Sequence, residues 1–336
     1  MALMVGHTLT DLGHEVRPVL RGRGPLIGDF RAFGPVRQDR LRLIGSAARG
    51  ILGARWLADR LDEIAAWITL VRTSGDVVWC NSLASLAYVR PALALGRRVV
   101  VHSHEIEPVA PDMLRRFRAI RWGTRVTAVG CSRAAAVVLA RELGLGLDDV
   151  ALILSTPGPP PAALEGRTIR REREVFVIGG CGEPLYAKGV DLFAELSRRV
   201  VDDRVRWRWV GGDRPGWVPP EAPIDFVAAV EDPRVELADI DLFVLTSRAE
   251  SASLVTMEAM SVGTPVVAFA VGGVPEVVQD AGLLIPAGDL DAMSAAISLL
   301  LEDEEQRHDL AERARARARV LCDPAEWHAS VAAVMA

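Results

Sequence analysis

The feature that most constrains this chain is a rhythm of short, continuously apolar, β-branched runs separated by longer stretches of helical spacing. The runs are HEVRPVL (14–20), DVVWC (76–80), RRVVVHSH (97–104), RVTAVGC (125–131), EVFVIGG (174–180), VRWRWVGG (205–212), IDFVAAV (224–230), IDLFVLTS (240–247) and TPVVAFA (264–270). Such a rhythm reads as βαβ units. Because the runs are continuous and not alternating, both faces of each strand must be covered, which requires parallel sheets with helices above and below. A length of 336 residues accommodates two such domains. The stretch STPGPPPAALEGRTIRRER (155–173) holds four prolines and a charged run without periodicity, and reads as the connection between them. The expected organisation is an N-terminal doubly wound domain over 1–158, a linker over 159–173 and a C-terminal doubly wound domain over 174–323.

The first residues, MALMVGHTLTDLGHEV, read as a helix stopped by Gly13, so the N-terminal domain lacks the strand that should feed that helix. The expectation is that the natural protein starts upstream of Met1. A formal charge of −5 gives no footprint for nucleic acid. The four cysteines, Cys80, Cys131, Cys181 and Cys322, form no CxxC pair and point to a reducing compartment and a cytoplasmic location. No run approaches the length of a membrane span, and the N-terminus has no leader-like pattern. Of the 39 basic residues only Lys188 is a lysine, which singles out a position where a compact ammonium serves better than a planar fork.

Chemistry concentrates between Asp239 and Pro286. A strand leads into Arg248-Ala249-Glu250, and a helix starts near Ser253 and runs past Glu258 to Gly263. Loop and helix N-terminus therefore sit at the carboxyl end of a strand, where open α/β sheets bind ligands. The first-turn N–H groups of Ser253, Leu254 and Val255 suit a phosphate. Carboxylates there pair with hydroxyls and not with the anion, which assigns Glu250 and Glu258 to sugar or ribose diols.

This block resembles the retaining glycosyltransferases of family 4, enzymes of the GT-B fold with two Rossmann-like domains facing across a cleft. The resemblance rests on an ordered set: Glu250-SASLVTM-Glu258, then Ser261-Val-Gly-Thr-Pro-Val-Val, then Gly272-Gly-Val-Pro-Glu276. FVIGGCGEPLYAKGVDLF (176–193) is similar to the family's strand, glycine loop and Lys-Gly segment, which places Lys188 on the phosphate-binding lysine. Gly180-Cys181-Gly182 stands where the family has a Gly-Arg pair. The resemblance implies a nucleotide diphosphate sugar of UDP or GDP type as donor, with no separate cofactor and no metal. Gly180, Gly182, Gly273 and Glu276 join the donor side, although the glycines equally suit tight turns and Glu276 a helix cap.

In the N-terminal half, DVVWCNS (76–82) and VVVHSHE (99–105) resemble segments on the acceptor side. They yield His104 as a catalytic candidate beside Glu250 and Lys188, with Asn81, His102 and Glu105 around the acceptor. The alternatives are a surface histidine bonded to a backbone carbonyl and an asparagine acting as a turn cap. The implied acceptor is a glycan, a lipid-linked sugar or a small molecule. Two arginine-rich stretches, 48–61 and 113–122, have the composition of a helix on anionic lipid. Snorkelling arginines on ordinary surface helices explain them too, and weak peripheral membrane contact stays the minor expectation. The segment 323–336 resembles the C-terminal GT-B helix that crosses back to the first domain. The expected function is retaining glycosyl transfer; the alternative is a non-catalytic nucleotide-sugar-binding or scaffold member of the same fold.

Overall fold

The computed structural model describes residues 1–20, 26–38, 55–115, 125–164 and 175–336. It divides into one unit of Met1–Ile153 with Glu326–Ala336 and a second of Leu154–Ala325. The Pro-rich stretch is therefore built partly into the second unit. Its carbonyls at Gly158 and Pro159 accept from the Arg234 guanidinium, and the portion 165–173 lies outside the described residues.

The first unit opens on α1 (Ala2–Asp11), which ends before Gly13 at φ +86°, a conformation that glycine adopts without strain. The run 14–20 contributes only β1 (Val19–Leu20), which pairs in parallel with β2 (Arg37–Gln38) and not with the main sheet. Pro18 supplies no backbone donor, and His14, Glu15 and Arg17 make the preceding residues too polar to bury. Helix α2 (Arg55–Val71) then precedes β3 (Val77–Cys80), β4 (Arg98–Ser103), β5 (Val126–Gly130), α3 (Arg133–Leu143) and β6 (Val150–Leu152). The sheet is parallel in the order β3-β4-β5-β6. Helix α3 starts on the Ser132 hydroxyl, which accepts from the Ala135 N–H at 3.1 Å, and stops at Gly144 in the left-handed region. β6 is too short to stand out in the sequence.

The second unit runs β7 (Phe176–Cys181), α4 (Val190–Arg199), β8 (Val205–Val210), β9 (Ile224–Val227), β10 (Leu242–Leu245), α5 (Leu254–Ser261), β11 (Val266–Phe269), α6 (Val274–Val278), β12 (Leu283–Ile285), α7 (Leu290–Glu302) and α8 (Glu304–Leu321). Its six strands lie in the order β12-β11-β10-β7-β8-β9, all parallel. Every residue of β10 and β11 is buried, as continuous apolar strands covered on both faces require. Inside β7 two glycines are needed for packing. A Cβ at Gly179 would stand 2.1 Å from the Ile240 Cδ1, and one at Gly180 would stand 2.6 Å from the Trp209 ring.

Helix α9 (Pro324–Met335) belongs to the first unit. Trp327, Val331 and Val334 pack with Val5, Leu9, Val100, Val129 and Ile153, and the Trp327 Nε1–H donates to the Thr8 Oγ1 at 3.0 Å. Truncating a buried tryptophan typically costs about 3–5 kcal/mol, so Trp327→Ala is expected to lower stability by that order in urea unfolding. Thr8→Val, which strands the indole N–H, should cost about 1–3 kcal/mol in the same measurement.

Candidate functional site

In the second unit, chain order reverses between β7 and β10, which are neighbours in the sheet although β8 and β9 intervene in sequence. Their connections depart in opposite directions, and the crevice left at the carboxyl ends of the two strands is where a parallel sheet can receive a ligand. After β7, Gly182 sits at φ +130°, and the Lys188 side chain passes 3.8 Å from where its Cβ would be. The Gly182 carbonyl accepts from the Trp209 Nε1–H at 2.8 Å. Gly211 packs against that carbonyl so closely that a Cβ would lie 2.6 Å from it. The turn ends at Gly189, at φ +69°, where a Cβ would fall 2.0 Å from the Thr246 backbone oxygen. Lys188 is thus held between two backbone positions that accept only glycine.

After β10 the loop turns Glu250 inward. Its side chain is only 7% exposed, and its Oε1 accepts from the Lys188 Nζ and from the Ser247 Oγ, both at 2.7 Å. The Gly273 N–H donates to the Glu250 backbone oxygen at 3.0 Å, so Gly273 steadies the glutamate loop. Gly180 likewise serves the fold, since its missing side chain is what admits Trp209. Helix α5 begins at Leu254. Ser253 precedes it at φ +39°, with its hydroxyl paired to Thr256 at 2.7 Å. The first-turn N–H groups of Leu254 and Val255 have no intrahelical acceptor by helix geometry.

One turn further along α5, Glu258 lines a pocket of about 580 Å3 together with Val230, Asp232, Pro233, Arg234 and Glu236. Burial raises its carboxyl above the ordinary glutamate value. Arg234 opposes that shift and Asp232 adds to it. Arg234 is clamped by two bonds to Asp232, whose carboxyl it holds low. Cys181, at the end of β7, is pushed up to about 12 by burial, with the Glu258 charge adding, and stays a thiol. Glu276 lies in the short helix α6, and its backbone carbonyl accepts from Arg317.

In the first unit the acceptor candidates sit at the carboxyl ends of β3 and β4. His102 is fully buried, and its ring lies 4.3 Å from that of His104 and 6.0 Å from that of Trp79. Burial first, and then His104, lowers His102 to about 3, so it is neutral at physiological pH. The buried atoms Asn81 Oδ1, Trp79 Nε1 and His104 Nε2 meet no hydrogen-bond partner. His104 is therefore not a surface histidine tied to a carbonyl through that nitrogen. The turn cap expected of Asn81 is supplied by Ser82, whose hydroxyl accepts from the Ala84 N–H. Glu105 is a clamp: its carboxylate accepts from the Ser82 hydroxyl and from the N–H groups of Leu83 and His104, leaving it committed to the loop.

Several site residues carry no signal in the sequence: Ser247, Asp232, Arg234, Gly211, and the pair formed by Asp191 with Arg248, whose guanidinium lies 3.7 Å from the Tyr186 ring centroid. Only the S-x-x-E spacing of Ser247 and Glu250 was there to be read. Among the described residues no three His, Cys, Asp or Glu side chains gather in a way that could hold a metal ion. All four cysteines are buried, and none is in a disulfide.

An α/β chain with two parallel-sheet units and a lysine–glutamate pair at a topological switch point has the architecture of the GT-B class. Over 99% of its length it superposes on the Anabaena protein HepE, solved with UDP and glucose, with a TM-score of 0.76, 19% identity and 95% of that chain covered. Over 98% it superposes on sucrose-phosphate synthase from Thermosynechococcus elongatus, with a TM-score of 0.74, 18% identity and 90% of that chain covered. Residues 172–303 match the family model described as glycosyl transferases group 1. A D-inositol 3-phosphate glycosyltransferase of Kineococcus radiotolerans is 31% identical over 79% of this chain and 66% of its own length. The O-antigen chain mannosyltransferase B of Escherichia coli is 38% identical over 36% of this chain and 31% of its own. The chain thus spans less than two thirds of these curated relatives. Residues 172–303 are thus similar to the glycosyl transferases of group 1, and the fold is that of the GT-B proteins.

Two predictions follow from the geometry. Ser247→Ala removes a hydrogen bond to a buried carboxylate and should cost about 1.5–3 kcal/mol in urea unfolding. For Glu258, the raised folded-state value means that the fold favours the protonated carboxyl. Its contribution to stability is present below the ordinary glutamate value of 4.5 and is lost as pH rises through the higher folded value. Glu258→Gln should therefore flatten that decline and raise the melting temperature at neutral pH, as read by a melting series across pH.

Proposed function

We propose that the protein is a retaining glycosyltransferase that takes a sugar from a nucleotide diphosphate sugar. The observation that carries this is the Lys188–Glu250 pair at the switch point, bordered by the Gly182 turn and the N-terminus of α5. The lysine is a mobile point charge beside a backbone that accepts close approach, and the helix start adds unpaired N–H groups; together they suit a diphosphate. When the donor binds, Lys188 turns from Glu250 toward the departing phosphate, whose charge grows as the glycosidic bond breaks. That frees one lone pair on Glu250 for sugar hydroxyls, while Ser247 keeps the carboxylate in place. Glu258, whose carboxyl burial shifts upward in its pocket beside Asp232 and Arg234, is suited to a ribose diol. The departing phosphate assists deprotonation of the acceptor on the same face, which retains anomeric configuration.

The acceptor, a glycan, a lipid-linked sugar or a small molecule, is assigned to the first unit. There Asn81 and His104 offer unpartnered polar atoms to a hydroxyl. His102 packs against His104, and burial lowers the His104 titration while the Glu105 charge opposes it. HepE binds UDP in its solved form, which supports a uridine nucleotide as the first donor to test. Buried cysteines outside any disulfide suit a cytoplasmic setting.

The test is a thermal-shift titration with UDP, GDP, ADP and their sugar conjugates, followed by release of nucleoside diphosphate with candidate acceptors. One nucleotide should raise the melting temperature. Lys188→Ala should remove the shift and lower turnover by about 10²–10³-fold. Glu250→Ala should keep nucleotide binding while transfer is lost. Binding by the unmodified chain without turnover on any acceptor would overturn the enzymatic reading in favour of a non-catalytic member.

A further inference from the structure

The turn that carries Lys188 has little of its own to hold it. It is a short 3-10 turn, Tyr186–Lys188, in which the Lys188 N–H donates to the Leu185 carbonyl at 3.0 Å and the Gly189 N–H to the Tyr186 carbonyl at 3.1 Å. The hydrogen bonds of such turns have poor geometry. None of its residues is buried, and Leu185 and Tyr186 are 47% and 64% exposed. A lysine carries its charge on a flexible four-carbon stem, so the place its ammonium can reach is set first by the backbone beneath it. The order of that backbone comes from outside the turn.

It comes from the loop that carries Glu250. The carbonyls of the four consecutive residues 186–189 all meet donors from Thr246 and Arg248. The buried Thr246 hydroxyl lies 2.9 Å from the Gly189 oxygen and 3.3 Å from that of Lys188, with one proton to share between them. The Arg248 N–H donates to the Ala187 oxygen at 2.9 Å, and its Nη1 donates to the Tyr186 oxygen at 2.6 Å. At the Thr246 end the seam is dry and close, because Gly189 packs against the Thr246 backbone. At the exposed end the hold is Arg248. Its guanidinium also meets Asp191, in the first turn of α4, through Nη1 at 2.8 Å and Nη2 at 2.6 Å, and it lies over the Tyr186 ring. Burial raises the Asp191 carboxyl, but the guanidinium outweighs it and holds that carboxyl below its ordinary value. With side chains 28% and 30% exposed, the pair adds little to overall stability, yet a two-pronged fork fixes direction. The arginine-rich stretches 48–61 and 113–122, of which 48–54 and 116–122 lie outside the described residues, are remote in sequence from this turn; the arginine that reaches it is Arg248.

We propose that Arg248, braced by Asp191, is a positioning residue for the donor: it fixes the turn that carries Lys188 and so sets where the ammonium meets a diphosphate. This rests on the reading of Lys188 as the diphosphate-binding residue. When Lys188 turns from Glu250, the bonds from Arg248 to the Tyr186 and Ala187 carbonyls stay, so the side chain swings on a fixed base. Arg248 acts through Lys188 and not on the ligand, since its Nη1 and Nη2 are committed to Asp191 and Tyr186.

Because Lys188 is the only lysine, isotope-labelled lysine in the full chain gives a single side-chain signal to follow by NMR. In the ligand-free protein its two ε-methylene protons should be inequivalent, as in a side chain held in one rotamer. Arg248→Gln keeps the main-chain bond to Ala187 and removes the fork. It should bring the two protons together and speed acylation of Lys188 by an amine-reactive ester at least about threefold, with circular dichroism unchanged. UDP, GDP and ADP are then titrated by calorimetry. The nucleotide that binds should lose about tenfold in affinity in Arg248→Gln, the order expected for a lost charge-assisted hydrogen bond. Its parent nucleoside, which carries no phosphate, should bind both proteins equally. Asp191→Asn, which keeps the arginine, should move each readout in the same direction, and it decides the matter if Arg248→Gln fails to fold. The proposal is overturned if the lysine signal and acylation rate are unchanged in the folded variants, or if the nucleoside loses affinity by the same factor as the nucleotide. An unmodified chain that binds none of the three nucleotides overturns the donor reading and this role with it, whereas an unchanged lysine signal in a chain that does bind one overturns the role of Arg248 alone.

Discussion

The second unit depends on one pairing, that of β7 with β10. Two parallel strands far apart in sequence are held side by side through Ile178 with Leu242 and Gly179 with Phe243. Parallel pairing needs a crossover for every strand, and when successive crossovers leave in opposite directions the sheet opens at the carboxyl ends of the central pair. Lys188 follows one of those strands and Glu250 the other. Their contact at 2.7 Å is thus a consequence of strand order, and no local feature of either loop would produce it alone.

The glycines around this contact divide by physical cause. Gly179 and Gly180 lie inside β7 and exist so that Ile240 and Trp209 can cross the sheet face. Gly182, Gly189 and Gly211 have positive φ, and at Gly189 and Gly211 even a methyl group would meet backbone. The first set builds the core and the second shapes the crevice. In the sequence both read alike, as glycine after a strand.

Buried polar groups are handled differently in the two units. Around the crevice of the second unit they are paired, Glu250 with Lys188 and Ser247, and Arg234 with Asp232 and two carbonyls, although Ser294 Oγ and Arg313 Nε elsewhere in that unit are not. In the first unit Asn81, Trp79 and both histidines leave buried polar atoms without partners, whereas Glu105 is saturated by its own loop. Satisfied networks fix a loop in place, and unsatisfied ones carry a desolvation penalty that a hydroxyl-bearing ligand relieves.

By itself the sequence determined the parallel α/β class and eight of the nine quoted apolar runs as strands of the main sheets, with IDFVAAV, IDLFVLTS and TPVVAFA trimmed to four residues, and it singled out the glutamate-bearing block and Lys188, because continuous apolar runs and ordered motifs are local properties. It also marked HEVRPVL as a strand, which Pro18 and its charged neighbours reduced to a two-residue pairing outside the main sheet. The short strands β6 and β12 carry too few residues to declare themselves, and they form because a neighbouring edge offers a ladder. Tertiary structure alone decided that Glu105 clamps its loop, that Gly180 admits Trp209, that Ser247 steadies Glu250, and that Glu258 sits in a pocket with Arg234 and Asp232. Each of those roles depends on residues brought together across the fold or a turn of the chain, and spacing in one sequence specifies neither the burial nor the partner that gives a side chain its chemistry.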